Sequence, residues 1–280
     1  MVCFTHVHPR EHNLIISMTH LSLANVTASY VNKRTATSLL ALQNITLTIN
    51  EGEFVAIVGP SGCGKSTLLN LVAGLQAPQS GEIILNGQPI QGPGRDRAMV
   101  FQVPALLPWR TVLANVSYGL ELQGVPALEA KKQALRFIDL VGLSDFVQSF
   151  PNELSGGMQQ RANLARALAV EPSLLLMDEP LSALDAILRE SMQAEIQRIW
   201  QESRQSVLYV THQIDEAIFL ADRVVIMSDR PGRIEKIVQV RLSRPRQLSI
   251  KQHPSFVQLS EEIWQSLQQG MSTSPKSLSN

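Results

Sequence analysis

The sequence predicts an α/β protein, because short runs of β-favouring apolar residues alternate with stretches of helical periodicity. Residues 54–58 (Phe-Val-Ala-Ile-Val) are continuously apolar, which is typical of a strand buried on both faces. Residues 174–177 form a second such run, and two further strands are predicted at 207–210 and 224–227, on either side of a helix at 215–220. Strands that alternate with helices in this way indicate an α/β core.

Two groups of elements are added to this core. Between residues 21 and 49 apolar residues partly alternate with polar ones, which predicts two antiparallel strands joined by a polar loop at about 32–38. Between 111 and 169 the apolar spacing becomes helical, so helices interrupt the core between two of its strands. We therefore expect an N-terminal antiparallel β-subdomain and an inserted α-helical subdomain at about residues 104–160.

The composition argues against several classes of protein. The 280 residues include 24 Lys and Arg against 24 Asp and Glu, so the chain lacks the bulk positive charge that nucleic-acid binding usually needs. With Cys3 and Cys63 as its two cysteines, it has no disulfide framework. No run of about 18 apolar residues and no secretory pattern occur. The sequence predicts a cytosolic protein that would work at a membrane only from one side.

The first 17 residues fit the rest of the chain poorly. They show no clean periodicity, which favours a disordered leader, and Met18 is an alternative start of the protein. The competing interpretation is a metal-binding tail built from His6, His8, His12 and His20.

Beyond a main domain at residues 18–243, the sequence predicts a C-terminal extension at 244–280. Four apolar residues recur there at helical spacing, which predicts one amphipathic helix. The residues after this helix are expected to be disordered. The four apolar residues are Phe256, Leu259, Ile263 and Leu267.

A glycine-rich loop between the first buried strand and the next helix has the spacing of a phosphate-binding loop. It fits the pattern G-x-x-x-x-G-K-[ST], in which glycines allow close backbone approach and the helix N-terminus directs N–H groups at the anion. Lys65 would reach the β- and γ-phosphates, and the Ser66 hydroxyl would bind Mg²⁺. The alternative is a structural glycine turn. The predicted nucleotide-binding residues are Gly59, Pro60, Ser61, Gly62, Cys63, Gly64, Lys65, Ser66 and Thr67.

An acidic pair follows the second buried strand. Asp178 and Glu179 come directly after residues 174–177, and the carboxyl end of a buried strand lies where α/β proteins bind their ligands. Asp178 would hold Mg²⁺, and Glu179 would act as general base on the attacking water. Without the phosphate-binding loop, the same pattern would fit a strand that ends in solvated acids.

A third motif goes beyond what a generic nucleotide-binding protein needs. Residues 154–160 read Leu-Ser-Gly-Gly-Met-Gln-Gln, which resembles the signature sequence of ATP-binding cassette (ABC) ATPases. The resemblance covers roughly residues 20–240 with every motif in order. Gln102 matches the Q-loop glutamine, residues 182–185 (Ser-Ala-Leu-Asp) match the D-loop, and His212 matches the switch histidine.

This resemblance implies a RecA-like P-loop NTPase core that pairs head to tail with a second cassette. Ser155, Gly156 and Gly157 would then face the γ-phosphate bound to the partner's P-loop. His212 would contact the γ-phosphate and orient the water beside Glu179. The family further implies that Asp185 acts across the dimer interface and that Gln102 senses Mg²⁺ and water. Tyr30 is the candidate for the aromatic residue that stacks on adenine, and the alternative is an ordinary exposed strand tyrosine.

Cys63 has two interpretations. It is either a small residue that the phosphate-binding loop tolerates, or a reactive thiol activated by the helix N-terminus and the nearby phosphate site. The second interpretation predicts that a bulky thiol reagent inactivates the protein and that ATP protects it.

Three segments resemble the nitrate, sulfonate and taurine importer branch of the ABC family: residues 106–112, 155–161 and 211–217. This resemblance implies an ATP-binding subunit, peripheral on the cytoplasmic face of the inner membrane. Its partners would be an identical or second cassette, integral-membrane permease subunits and, indirectly, an external solute-binding protein. Trp109 would lie where the permease docks; alternatively it is a core residue of the helical subdomain.

Two other functions compete with an importer subunit. A non-transport ABC ATPase would act on nucleic acid or a macromolecular machine, which the neutral charge, the single cassette and the Trp109 segment disfavour. A small-molecule kinase would have no use for a signature segment supplied by a partner.

Overall fold

The structure is a computed structural model that describes residues 19–31, 38–182 and 184–272. The described residues form two β-sheets and a set of helices. The strands are β1 (Thr19–Val31), β2 (Ser38–Asn50), β3 (Phe54–Val58), β4 (Ser80–Leu85), β5 (Gln88–Pro89), β6 (Arg97–Val100), β7 (Leu174–Asp178), β8 (Ser206–Val210), β9 (Arg223–Met227) and β10 (Ile234–Gln239). The α-helices are α1 (Lys65–Ala73), α2 (Val112–Leu122), α3 (Ala127–Leu140), α4 (Gly156–Ala169), α5 (Ala186–Ser203), α6 (Ile214–Leu220) and α7 (Pro254–Ser272).

The larger sheet forms the α/β core and confirms the predicted fold class. Its strand order is β10-β9-β3-β8-β7-β6, and every neighbouring pair is parallel except β9 and β10. All five residues of β3 are buried, as a strand covered on both faces requires. Because β3, β8 and β7 are parallel neighbours, the loops that follow them meet at one edge of the sheet.

Helices and the smaller sheet cover the two faces of this core. The smaller sheet has the order β2-β1-β4-β5, is antiparallel throughout, and packs with α1 on the face that carries Val55 and Ile57. The opposite face, with Phe54 and Ala56, packs with α2 to α7. The two predicted N-terminal strands are therefore present as β1 and β2.

The predicted helical block is present between residues 111 and 169 as α2, α3 and α4, and α4 ends at Ala169, where the helical spacing of the sequence also ends. The boundary of the inserted subdomain at about residue 160 stays a prediction. The buried Asn115 side chain accepts a hydrogen bond from Leu107 N (2.7 Å) and donates to the Leu107 and Arg110 carbonyls (3.1 and 2.9 Å). These hydrogen bonds hold the turn that carries Trp109. The Trp109 side chain is 71% exposed, so the interpretation as a core tryptophan was wrong.

The C-terminal extension contains the predicted amphipathic helix as α7. Phe256 and Ile263 are buried, and the helix packs against α6, β9 and β10. Two strands that the sequence did not predict, β5 and β10, lie at the edges of the two sheets. Residues 1–18 and 273–280, where the leader and the C-terminal disorder were predicted, lie outside the described residues.

His20 is a buried residue of β1 and not part of an N-terminal tail. The described residues contain no cluster of three or more His, Cys, Asp or Glu that could hold a metal ion. Since His6, His8 and His12 lie outside the described residues, the metal-tail interpretation fails for His20 and stays a hypothesis for the other three.

Acidification is expected to destabilise the protein partly through His20. Burial lowers the pKa of His20 below its usual 6.5, because desolvation disfavours the charged imidazolium. The stability that this residue contributes is present above the unfolded-state pKa and is lost as the pH falls through the folded-state pKa. The urea midpoint of the wild type should therefore fall more between about pH 7.5 and 5.5 than that of His20→Leu.

The exposed His253 supplies the control for this pH effect. His253→Gln should keep the full wild-type loss of stability on acidification. Equal shifts of the midpoint in all three proteins would show that His20 does not contribute.

Candidate functional site

The loop between β3 and α1 has a backbone that only glycines adopt easily. Gly62 and Gly64 have φ angles of +78° and +105°, in the left-handed region that disfavours side chains. A Cβ at Gly64 would also lie 2.6 Å from the Leu42 side chain. Because α1 begins at Lys65, its first N–H groups face this loop, as in a phosphate-binding loop.

The Lys65 side chain is held inside the loop. It is 6% exposed, and its Nζ donates hydrogen bonds to the carbonyl oxygens of Gly59 (2.8 Å) and Pro60 (3.0 Å). A phosphate oxygen in their place would exchange a neutral acceptor for a charged one, which makes a stronger hydrogen bond. The loop therefore offers a preformed cation and N–H donors to a phosphate.

Ser66 and Asp178 meet at the same edge of the sheet. The Ser66 hydroxyl donates to Asp178 Oδ1 over 3.2 Å. Burial raises the pKa of Asp178, and the Ser66 hydrogen bond opposes that rise. A hydroxyl and a carboxylate beside a phosphate site are the hard oxygen ligands that Mg²⁺ prefers, so these residues fit the predicted ion.

Glu179 and His212 form the second pair of the site. They follow the neighbouring strands β7 and β8, and His212 Nδ1 lies 3.0 Å from Glu179 Oε2. Glu179 has a φ of +43°, which costs a side-chain-bearing residue about 1–3 kcal/mol, and its N–H donates to the Val210 carbonyl (2.9 Å). Strain of this kind persists where the surrounding structure enforces it. In this backbone conformation the Glu179 carboxylate lies beside His212.

A buried carboxylate that the sequence analysis did not single out supports His212. Glu216 in α6 is 3% exposed and accepts hydrogen bonds from the hydroxyls of Tyr209 and Thr211, the latter over 2.6 Å. The Thr211 hydroxyl also accepts from Gln213 N (3.0 Å), so this cluster fixes both ends of the turn that carries His212. Burial raises the pKa of Glu216. The feature of the sequence that could have pointed to Glu216 is its position directly before the apolar run at 217–220.

Gln102 reaches the acidic pair through Ser182. Gln102 Nε2 donates to Ser182 Oγ (3.0 Å), which in turn donates to the Glu179 carbonyl (2.9 Å). Ser182 belongs to the predicted D-loop. A movement of the Gln102 segment would therefore be transmitted to the backbone of Glu179.

Tyr30 lies beside the start of α1. Its hydroxyl is 2.9 Å from Thr67 Oγ1, and its side chain is 43% exposed. The ring is therefore partly accessible next to the loop. Its predicted contact with adenine stays a prediction.

The reactive-thiol interpretation of Cys63 is not supported. The side chain is fully buried, and burial raises the pKa of the thiol, so little thiolate is present near neutral pH. A Cβ at Gly59 would lie 2.9 Å from Cys63 Sγ, which shows how closely the thiol is packed. Cys63 is a small core residue of the loop.

The signature segment lies apart from the phosphate-binding loop. Ser155 caps α4, its hydroxyl accepting from Met158 N (3.3 Å), and α4 packs on α2, α3 and β6. Gly156 is exposed and Gly157 is buried. Asp185 caps α5 in the same way, accepting from Leu188 N (2.9 Å). Within the described part of the chain, no hydrogen bond joins Ser155 to the loop at 59–66.

A phosphate-binding loop, an acidic pair and a histidine at the carboxyl edge of a parallel sheet define an ATPase of the P-loop class. The sequence profile of the ABC transporter family matches residues 42–182, half of the chain. The chain belongs to the ABC transporter ATP-binding family, and the predicted family resemblance is confirmed.

Relatives and solved structures agree with this assignment. An uncharacterised ABC transporter ATP-binding protein of Methanocaldococcus jannaschii is 52% identical over 74% of this chain and 77% of that protein. The nitrate import ATP-binding protein of Synechocystis sp. is 46% identical over 87% of this chain and 93% of that protein. A dimeric ATP-binding cassette, solved in a post-hydrolysis state with ADP and phosphate, matches with a TM-score of 0.70 and 35% identity over 80% of this chain and all of that one.

Proposed function

We propose that this chain is the ATP-hydrolysing subunit of an importer for a small anionic solute of the nitrate, sulfonate or taurine type. The observation that carries the ATPase role is the meeting of Lys65, Asp178, Glu179 and His212 at one edge of the core sheet. The anionic solute is supported by the 46% identity to a nitrate import ATP-binding protein and by the importer-type segments.

In the proposed mechanism, each part of the site has a separate task. Lys65 and the N–H groups of the loop hold the β- and γ-phosphates of ATP. Ser66, Asp178 and Gln102 would hold Mg²⁺, which supplies charge neutralisation at the phosphates. Glu179 accepts the proton of the attacking water, and His212, held by the Glu216 cluster, orients that water and the γ-phosphate.

A second cassette completes the site. Among the described residues Ser155 makes no hydrogen bond to the loop of its own chain, and both Ser155 and Gly156 are exposed, so their donors would serve the ATP of a partner cassette, either identical or encoded separately. Asp185 would lie at the same interface. Loss of the γ-phosphate on hydrolysis removes the bridge and allows the pair to open.

The proposed membrane partner binds at the helical block. Among the described residues no helix combines the length and apolar character that crossing a membrane requires. Because a relative is an import ATP-binding protein and Trp109 is exposed, we assign the permease contact to Trp109 and place the subunit peripherally on the cytoplasmic face, with a solute-binding protein acting through the permease.

Co-purification tests the transport role against the alternative of a non-transport ATPase. The tagged full chain, co-expressed with candidate permease subunits, should be recovered with them from detergent-solubilised membranes. Trp109→Ala is expected to reduce this recovery by about tenfold or more, because exposed aromatic anchors often dominate interfaces. Trp264→Ala is the matched control, since Trp264 is also exposed (56%) but lies on α7.

Recovery with ribosomes or DNA instead of a permease would favour the alternative function. Equal recovery of the wild type and Trp109→Ala would contradict the docking site while leaving the ATPase assignment in place.

A further inference from the structure

The turn between β9 and β10, residues 228–233, packs against the outer side of the phosphate-binding loop. A Cβ at Gly232 would lie 2.1 Å from the carbonyl oxygen of Cys63, so the two backbones are in direct contact. The turn is also tied to β2, since Gly232 N donates to the Ala41 carbonyl (2.8 Å) and Gln43 N donates to the Gly232 carbonyl (2.9 Å). This backbone pairing holds the turn in place next to the loop.

Arg230 makes the side-chain contact from this turn. Its Nε and Nη2 both donate to the carbonyl oxygen of Gly62, over 3.2 and 2.9 Å. Two donors of a charged guanidinium on one oxygen make a directional, charge-assisted interaction. The Arg230 backbone is itself held, because its N–H donates to Asp229 Oδ1 (2.7 Å).

The contact fixes the orientation of one peptide of the loop. In a trans peptide the carbonyl of Gly62 and the N–H of Cys63 point in opposite directions. With the carbonyl turned outward to Arg230, the Cys63 N–H points inward and donates a long hydrogen bond to the Pro60 carbonyl (3.3 Å). The Pro60 carbonyl also accepts a hydrogen bond from Lys65 Nζ (3.0 Å), so the Cys63 N–H and the Lys65 ammonium group lie close together inside the loop.

We propose that Arg230 is a positioning residue of the phosphate-binding loop, which keeps the Gly62–Cys63 peptide turned so that its N–H donates to the triphosphate. The guanidinium also polarises that peptide, which strengthens the N–H as a donor. This inference rests on the proposed nucleotide-binding function of the loop. Arg230 thereby adds a contact from the C-terminal half of the chain to the phosphate-binding loop.

Nucleotide titration of the full chain tests the proposal. Arg230→Ala should bind Mg-mant-ATP about three- to tenfold more weakly, in the range of an exposed charge-assisted hydrogen bond. The KM for ATP should rise while kcat at saturating ATP and the melting temperature stay at the wild-type values. Arg230→Lys should recover part of the affinity, because an ammonium keeps the charge but not the two-pronged geometry.

Arg233→Ala is the matched control. Arg233 lies in the same turn and carries the same charge, but it donates to Gln43 Oε1 (3.2 and 2.6 Å) and not to the loop. Equal losses of affinity in the two alanine variants would mean a general charge effect and would overturn the proposal, as would an unchanged affinity of Arg230→Ala. A folded wild type that fails to bind mant-ATP would instead refute the proposed function.

Discussion

ATP turnover is expected to fall by about a hundredfold or more when Glu179 is replaced by glutamine. The amide keeps the size of the side chain and a hydrogen bond to His212, but it cannot accept the proton of the attacking water. The γ-phosphate bridge should then persist, and the variant should accumulate as an ATP-bound dimer. Mg-dependent phosphate release together with light scattering measures both effects.

Glu171 provides a matched control at the other end of the same strand. It precedes β7, has a φ of +48° like Glu179, and pairs with Arg136 at the surface (3.2 Å). Glu171→Gln should hydrolyse ATP at the wild-type rate. Normal turnover by Glu179→Gln would exclude Glu179 as the base. If neither the variants nor the wild type bind ATP, the assignment of the nucleotide site itself is wrong.

Gly156→Asp is expected to abolish turnover without harming the fold of the single chain. A Cβ at Gly156 would meet no atom within 4 Å, and an acidic residue in the first turn of a helix interacts favourably with the helix dipole. In the proposed dimer, however, the new carboxylate would face the partner's γ-phosphate. Such a like-charge contact costs several kcal/mol, so turnover and ATP-dependent dimerisation should fall by about a hundredfold or more.

Two measurements separate this effect from misfolding. The melting temperature and the affinity of the monomer for ATP should both stay at the wild-type level in Gly156→Asp. Gly92→Asp is the control, because a Cβ at Gly92 also meets nothing within 4 Å but this residue lies near Gly74, at the far end of α1 from the loop. If Gly156→Asp dimerises and turns over normally, the signature segment does not face a partner's nucleotide.

The elements that the sequence predicted well are those whose pattern is local. β3 and β7 are continuous apolar runs because both faces of a central parallel strand are buried. β10 escaped prediction because it is an edge strand with Val238 as its one fully buried residue, which leaves no clear period. The interpretation of Trp109 as a core residue failed for a related reason. A short turn has no regular spacing of apolar residues, so the sequence does not indicate whether its tryptophan is buried or exposed.

The motif residues and their order could be inferred from spacing alone, because a phosphate-binding loop, an acidic strand end and a signature segment each need particular residue types within a few positions. Which groups meet in space could not be inferred in this way. Arg230 contacts Gly62 across 168 positions of sequence, because the turn after β9 lies beside the loop that follows the neighbouring strand β3. Such contacts depend on how distant strands are ordered in the sheet, and no period or spacing along the chain encodes that order.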